Sequence, residues 1–526
     1  MNSSRKQNLV PSTPSTTPNY WCTWTIQNFA AQRTIADHEV WDTPQGAELA
    51  RIALDEDRVF GPDGWLRDFF PKVRNDLLVV FDDGWDVPRK DWDPHFGSVE
   101  LFEPRFPSCT GTPEERLRKL NAKVRELGWR GTGLWIACQE ATRYFSNGNI
   151  TLAQREAYWR ERLRWCHVAG IAYWKVDWGK QNNAAFRQFQ TRIGKEVAPG
   201  LIIEHVLGAG PFNDMKGTCR TPLDELDRMA ERLAFSDAFR TYDVSGPLSV
   251  PSTLDRVAGL MARAHVNHDA LGLVHCEDEV YMAAILGCVM GVMRYPVGDL
   301  PAGVEPNIHL GGGERFSGTR PIRKQMDEVV RAVRWQRIAP AFKPEASATN
   351  VDSAVLWDSW AFRRFETWLR EAAGGVRKQG APARVSRGMP LPMVSVPKGS
   401  EPPYALATRY PSGAVSVGTL GRVTPEKGYH VPLADITADI GNAAGPIGIF
   451  GLSKSVTLRF DRDITNSRVF AQDLAGDVAD DITDRISIAG RQLTVPGEVI
   501  SSVGLSARSS LDDGSEPGMV MAIVCP

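Results

Sequence analysis

Eight times between residues 19 and 345 a short apolar run rich in Trp, Val and Ile gives way to a longer amphipathic stretch. That alternation restricts the chain to repeated β-α units. The runs fall at 20–29, 77–85, 133–139, 171–178, 201–207, 238–244, 271–277 and 292–297. Helical periodicity occupies 112–127, 151–167, 182–197, 221–233, 251–265, 280–291 and 320–339. Thr112 and Glu115 have the spacing of a capping box, with Pro113 at the first helical position. Eight strands, each with room for a crossover helix, predict a (β/α)8 TIM barrel over 19–345. The competing doubly wound sheet lacks its G-x-G-x-x-G after the first strand.

Beyond 345 the texture changes. Short alternating runs separated by Pro-Ser-Gly, Asn-Ala-Ala-Gly and Asp-Asp-Gly predict a C-terminal antiparallel β-sandwich over 401–526. The intervening 346–400 reads as a linker or helical connection, and the Ser/Thr/Pro/Asn-rich 1–18 as a disordered N-terminal segment.

Charge and cysteine usage exclude several classes. Lys+Arg 61 against Asp+Glu 63 leaves a net charge of -2, so no basic field attracts nucleic acid or acidic lipid. No stretch approaches the ~18 apolar residues of a membrane span. The eight cysteines are scattered without a C-x-x-C pair, which fits neither a zinc ribbon nor a dithiol redox site. A cytoplasmic location is the expectation, with a periplasmic or secreted one if a leader was removed. The aromatic content is high, 16 Trp and 21 Phe, many beside acids, Gln and Gly. Such a mixture suits flat, hydroxylated ligands.

In a barrel of this kind chemistry sits at the carboxyl ends of the strands. Strand two ends in Asp82-Asp83-Gly84-Trp85, strand four in Lys175-Val176-Asp177-Trp178 and strand five near Glu204-His205. Strand six gives Arg240-Thr241-Tyr242-Asp243, and strand seven His275-Cys276-Glu277-Asp278-Glu279. Alternation places Lys175 and Asp177 on one face, where the cation keeps the carboxylate ionised as a nucleophile requires. The plainer reading is an ion pair filling the barrel centre. Adjacent Asp82 and Asp83 need donors, which sugar hydroxyls supply, although an Asp-Asp-Gly turn also accounts for them. Trp21, Trp24, Trp85, Trp135 and Trp178 are stacking candidates, set against ordinary core roles. Arg240 and Asp243 can hold a substrate oxygen and work on a leaving group, or form a surface salt bridge. His205, His275 and Glu277 lack the H-E-x-x-H of a metal site and read as satisfied core or supporting groups. The chain has no G-x-S-x-G elbow, and Gly311-Gly312-Gly313 lacks the Lys-Ser/Thr of a phosphate cradle.

The Trp-rich first strand, Asp82-Asp83-Gly84-Trp85, Lys175-Val176-Asp177-Trp178 and Arg240-x-x-Asp243, in this order, resemble the α-galactosidase clan of retaining glycoside hydrolases. Family 36, with its raffinose-synthase-like branch, is nearest, and family 27 is the sister. The resemblance implies Asp177 as nucleophile and Asp243 as acid/base, with Lys175 and Arg240 binding sugar hydroxyls. It further implies Asp82 and Asp83 at O4 and O6 of a galactose-like ring, Trp21, Trp24 and Trp85 lining the pocket, and Glu204 near O2. Trp135 and Trp178 remain stacking candidates. Two features depart from the clan: Val244 stands four residues after Arg240, where much of the clan has its acid, and the large N-terminal β-sandwich of long family 36 enzymes is missing.

The expected activity is cleavage of terminal α-galactosyl residues by double displacement, with the two carboxyl groups ~5–5.5 Å apart and no cofactor or metal. The alternatives are a transglycosylase, a hydrolase of a related sugar such as a β-L-arabinopyranoside or α-N-acetylgalactosaminide, and a non-catalytic sugar-binding barrel. The expected partner is a carbohydrate substrate, not nucleic acid or membrane, with homo-oligomerisation left open.

Overall fold

A computed structural model describes residues 8–32, 49–88, 91–145, 150–207, 218–241, 248–267, 272–296, 325–362, 375–510 and 514–525. Eight parallel strands close into a barrel: β1 (Tyr20–Cys22), β2 (Leu78–Phe81), β3 (Gly131–Ile136), β4 (Tyr173–Val176), β5 (Ile202–Val206), β6 (Ala238–Arg240), β7 (Leu273–Glu277) and β8 (Val289–Val292). Tyr20 of β1 pairs with Leu78 of β2 on one side and Gly291 of β8 on the other, which closes the ring.

Alternation sorts the side chains. Trp21, Val79, Phe81, Leu134, Trp174, Ile203, Phe239 and Val274 point outward into the core beneath the helices. Tyr20, Cys22, Leu78, Val80 and Tyr173 form a separate cluster inside the barrel. A strand period of two therefore builds two cores from one set of strands. The helices begin where their sequences cap them: Thr112 with Glu115 before Pro113–Glu126, and Thr151 with Gln154 before Leu152–Ala169. Both are reciprocal capping boxes.

Several expected boundaries move. The run 20–29 is not one strand, because β1 ends at Cys22 and a helix begins at Trp24. Ile26 and Phe29, three apart and both buried, share one helical face, and the Gln27 amide donates back to the Thr23 carbonyl. The helix expected over 280–291 stops at Leu286, where Gly287 takes a left-handed φ of 65°. β8 consequently lies upstream of the expected 292–297.

The N-terminal segment expected to be disordered is packed over its described part. The Ser15 amide donates to Asp76 at 2.7 Å and its hydroxyl to the Gln336 carbonyl at 2.8 Å. Among its described residues, the stretch 346–400 is built of strands, not of a helical connection: Thr349–Val351, Val355–Phe362, Gly375–Pro382, Arg384–Arg387 and Met393–Ser395. Two of them enter the eight-stranded sheet of the sandwich, ordered from Thr349–Val351 to Asp480–Asp481, and Met393–Ser395 enters its five-stranded one, while Val355–Phe362 and Gly375–Pro382 pair with each other. These sheets share one apolar core containing Val417, Ile436, Ile449, Leu458, Leu493 and Met521. Most of their pairings are antiparallel, but three are parallel: Arg384–Arg387 with Tyr404–Arg409, Val415–Leu420 with Ile447–Phe450, and Asp435–Gly441 with Ser455–Phe460. The helix Met326–Ile338 lies between barrel and sandwich, and its buried Arg331 pairs with Asp473 at 2.9 Å.

Candidate active site

The inward positions near the carboxyl ends of the barrel strands carry charge rather than hydrocarbon. Asp82 continues β2, Lys175 and Asp177 lie on and just past β4, Glu204 is on β5, Arg240 ends β6, and His275 and Glu277 lie on β7. So dense a polar centre requires space. Gly291 provides some of it, because a Cβ there would sit 2.7 Å from both His275 Nε2 and the Tyr20 hydroxyl. The Tyr20 and His275 rings stack across that gap with centroids 5.3 Å apart.

Asp177 is the most accessible carboxylate of the group, its side chain 13% exposed. Arg240 reaches one oxygen at 3.2 Å, and the Trp135 indole N–H donates to the other at 3.0 Å. Burial alone would raise this carboxyl, but the Arg240 and Lys175 charges and the indole hydrogen bond outweigh it and hold Asp177 below the usual carboxylate range. It is an ionised carboxylate at the barrel mouth, placed by one ion pair and one hydrogen bond.

Arg240 is fully buried and does two things. Its Nη2 holds Asp177 while its Nε lies 3.1 Å from Glu204. Glu204 also accepts from Tyr173 at 2.7 Å and from Tyr20 at 3.3 Å. Burial raises its carboxyl despite those partners. Glu204 therefore anchors the arginine from below, with no exposed surface of its own.

Lys175 donates to Asp82 at 2.8 Å, and the Cys22 thiol donates to the same oxygen at 2.9 Å. Burial disfavours the ammonium, but Asp82 and Cys22 more than restore it. Asp83 points the other way, and both its oxygens are held by Arg51 at 2.8 Å. Burial nevertheless raises the Asp83 carboxyl.

The five tryptophans separate. Trp135 touches Asp177 directly, and Trp178 packs 5.5 Å from its ring while remaining 38% exposed. Trp24 is half-buried on the helix after β1. Trp21 faces outward against Phe69 and Trp129, its N–H on the Arg294 carbonyl. Trp85 is fully buried with its N–H on the Trp135 carbonyl. These last two support the barrel and do not line its mouth, because their parity and burial turn them into the outer core. Asp243 and Val244 lie outside the described residues.

His205 is satisfied, facing Thr191 at 2.8 Å and Arg187 at 3.3 Å outside the barrel. His275 and Glu277 depart from the expectation of satisfied groups: both ring nitrogens and both carboxyl oxygens are buried without a hydrogen bond. Sequence reasoning missed Arg51, Tyr20 and Tyr173. The two tyrosines sit in apolar runs, where only their inward parity marks them. Among the described residues no cluster of His, Cys, Asp and Glu is arranged to hold a metal, and no helix is long and apolar enough to cross a membrane. All eight cysteines are free thiols.

No protein-family model matches the chain, and no curated protein does. Solved structures to which it is similar include an Anoxybacillus α-amylase, 8% identical, covering 97% of this chain and 98% of that one at a TM-score of 0.43. An α-amylase from Geobacillus thermoleovorans, in complex with acarbose, is 9% identical over 69% of this chain and 98% of that one, with a TM-score of 0.32. The cyclic α-maltosyl-(1→6)-maltose hydrolase of Arthrobacter globiformis is 11% identical over 58% of this chain and 86% of that one, with a TM-score of 0.29.

Proposed function

We propose that this chain is a retaining glycoside hydrolase whose nucleophile is Asp177. One observation carries the reading: a partly exposed carboxylate at the barrel mouth, kept ionised and aimed by Arg240 at 3.2 Å and the Trp135 N–H at 3.0 Å. In the first step an Asp177 oxygen forms a bond to the anomeric carbon as the glycosidic C–O bond breaks and the leaving oxygen takes a proton from the acid. In the second, a water oxygen bonds to the anomeric carbon as the bond to Asp177 breaks, freeing the carboxylate, and the water's proton returns to the same acid/base group. Asp243 is proposed for that acid/base role on the ordered set of strand-end residues.

Within this reading the glycone is a galactose-like sugar. Asp82 with Lys175 presents an acceptor and a donor beside the nucleophile, a pairing suited to neighbouring ring hydroxyls. Asp83, bound to Arg51 through both oxygens, fixes the strand-two turn in place of gripping O6. Trp178, exposed beside Trp135, is the stacking surface.

A panel of nitrophenyl α- and β-glycosides tests the reading. The expected result is turnover of an α-galactoside-like member, first-formed product of retained configuration, and loss of ~10⁴-fold or more in kcat for Asp177→Asn in a folded protein. Full activity in that variant, or an inverted product, overturns it.

A further inference from the structure

Four carboxyl groups converge inside the barrel, and three have hydrogen-bonding or ionic partners at close range: Asp82 with Lys175, Asp177 with Arg240 and Trp135, Glu204 with Arg240 and Tyr173. Glu277 is the exception. It is wholly buried, and neither of its oxygens has a hydrogen bond. Nδ1 of His275 lies 3.7 Å from it on the same strand. That imidazole is held neutral, first by burial and then by the Arg240 and Lys175 charges, so it offers no cation.

The ionisable groups that interact with Glu277 come from all around the barrel: Tyr20 and Cys22 of β1, which burial keeps neutral, Lys175 and the likewise neutral Tyr173 of β4, Glu204 of β5, Arg240 of β6, and Asp278 next to it. Two of these are cations. Asp278 is matched by Arg294 at 3.4 Å, but against the two cations stand Asp82, Asp177, Glu204 and Glu277, so full ionisation would leave two uncompensated negative charges in the barrel centre. The group with no hydrogen bond to lose takes up a proton at least cost.

We propose that Glu277 is a positioning residue of the Asp177 site: in the resting protein it is a neutral carboxylic acid, which leaves Lys175 and Arg240 to the other carboxylates and keeps Arg240 on Asp177. The proposal rests on the glycosidase reading for its catalytic consequence, but not for the proton itself. Burial, the first cause, pushes the Glu277 carboxyl up to about 8 in spite of Lys175 and Arg240. Its ionisation in alkali draws those two cations toward β7 and loosens the hold on Asp177.

Infrared difference spectroscopy of the full chain, wild type against Glu277→Gln, reads the proton directly. The expected result is a protonated-carboxyl band at mildly acid pH that is absent from the variant and disappears from the wild type as the pH passes about 8. Kinetics supply the second readout: the alkaline fall in kcat/KM is severalfold shallower in E277Q than in wild type. Should the Gln variant fail to fold, Glu277→Met, apolar and of similar volume, replaces it in both measurements. Absence of the band overturns the proposal, as does an identical alkaline limb in wild type and variant, which would make Glu277 a structural residue only. A wild type that shows the band yet turns over no glycoside counts against the glycosidase reading and supports the proton on Glu277.

Discussion

Arg240 lies 3.2 Å from Asp177 through Nη2 and 3.1 Å from Glu204 through Nε, so one buried guanidinium ties an accessible carboxylate to an inaccessible one. The arrangement uses the planar fork of arginine: Nε faces the buried Glu204 and Nη2 the accessible Asp177. Whatever reacts at Asp177, its geometry is inherited from Glu204, Tyr173 and Tyr20 beneath it.

Arg240→Lys retains the charge but cannot bridge both carboxylates. The expected outcome is a fall of ~10²-fold in kcat/KM from a displaced nucleophile, with a loss of up to about 3–5 kcal/mol in stability from the poorly compensated Glu204. Steady-state kinetics and urea unfolding measure the two effects separately.

Asp177 is held below its ordinary range, so the unfolded chain binds its proton more readily than the folded one. The stability it contributes is complete above the ordinary carboxylate range, ~4, and is lost as the pH falls through the lower folded value. Asp177→Asn removes that contribution. Its unfolding midpoint is expected to lie furthest below wild type at neutral pH and to converge with it in strong acid. A constant gap across that range contradicts the assignment.

Gly291→Ala places a methyl group 2.7 Å from His275 Nε2 and from the Tyr20 hydroxyl. Neither ring can retreat within a closed barrel. Destabilisation of ~1–3 kcal/mol is expected from overpacking, together with reduced activity as Tyr20 shifts against Glu204. Thermal unfolding and the kinetics of the same preparation check this.

Arg331→Met tests the join between barrel and sandwich. Arg331 meets Asp473 through two bonds, 2.9 and 3.1 Å, both groups buried. Removing the cation strands the carboxylate at a cost of about 3–5 kcal/mol, expected as an earlier unfolding transition and faster proteolysis near 473. Adding Asp473→Asn, which removes the charge and keeps an acceptor for one of the Ala475 and Ala507 amides, is expected to recover part of the loss.

The barrel and the inward-facing residues Lys175, Asp177, Glu204 and Arg240 are legible in the sequence because both rest on short-range regularity. A strand period of two and a helix period of 3.6 survive in any linear reading, and strand ends in a barrel share one rim. The same logic misplaces Trp21 and Trp85, which have the right composition but the wrong parity or depth. It also extends β1 through 20–29, where an apolar run is compatible with either period.

The sequence by itself determined the number and order of the β-α units, the change to β structure near the C-terminus, and the carboxylates and cations that end the strands. Only the tertiary structure decided which of those charges meet: Arg240 with both Asp177 and Glu204, Arg51 with Asp83, and Glu277 with no hydrogen bond among the described residues. The physical reason is that periodicity is a property of neighbours along the chain. Electrostatic pairing falls off over a few ångströms of space, and here that space is created when β1 joins β8.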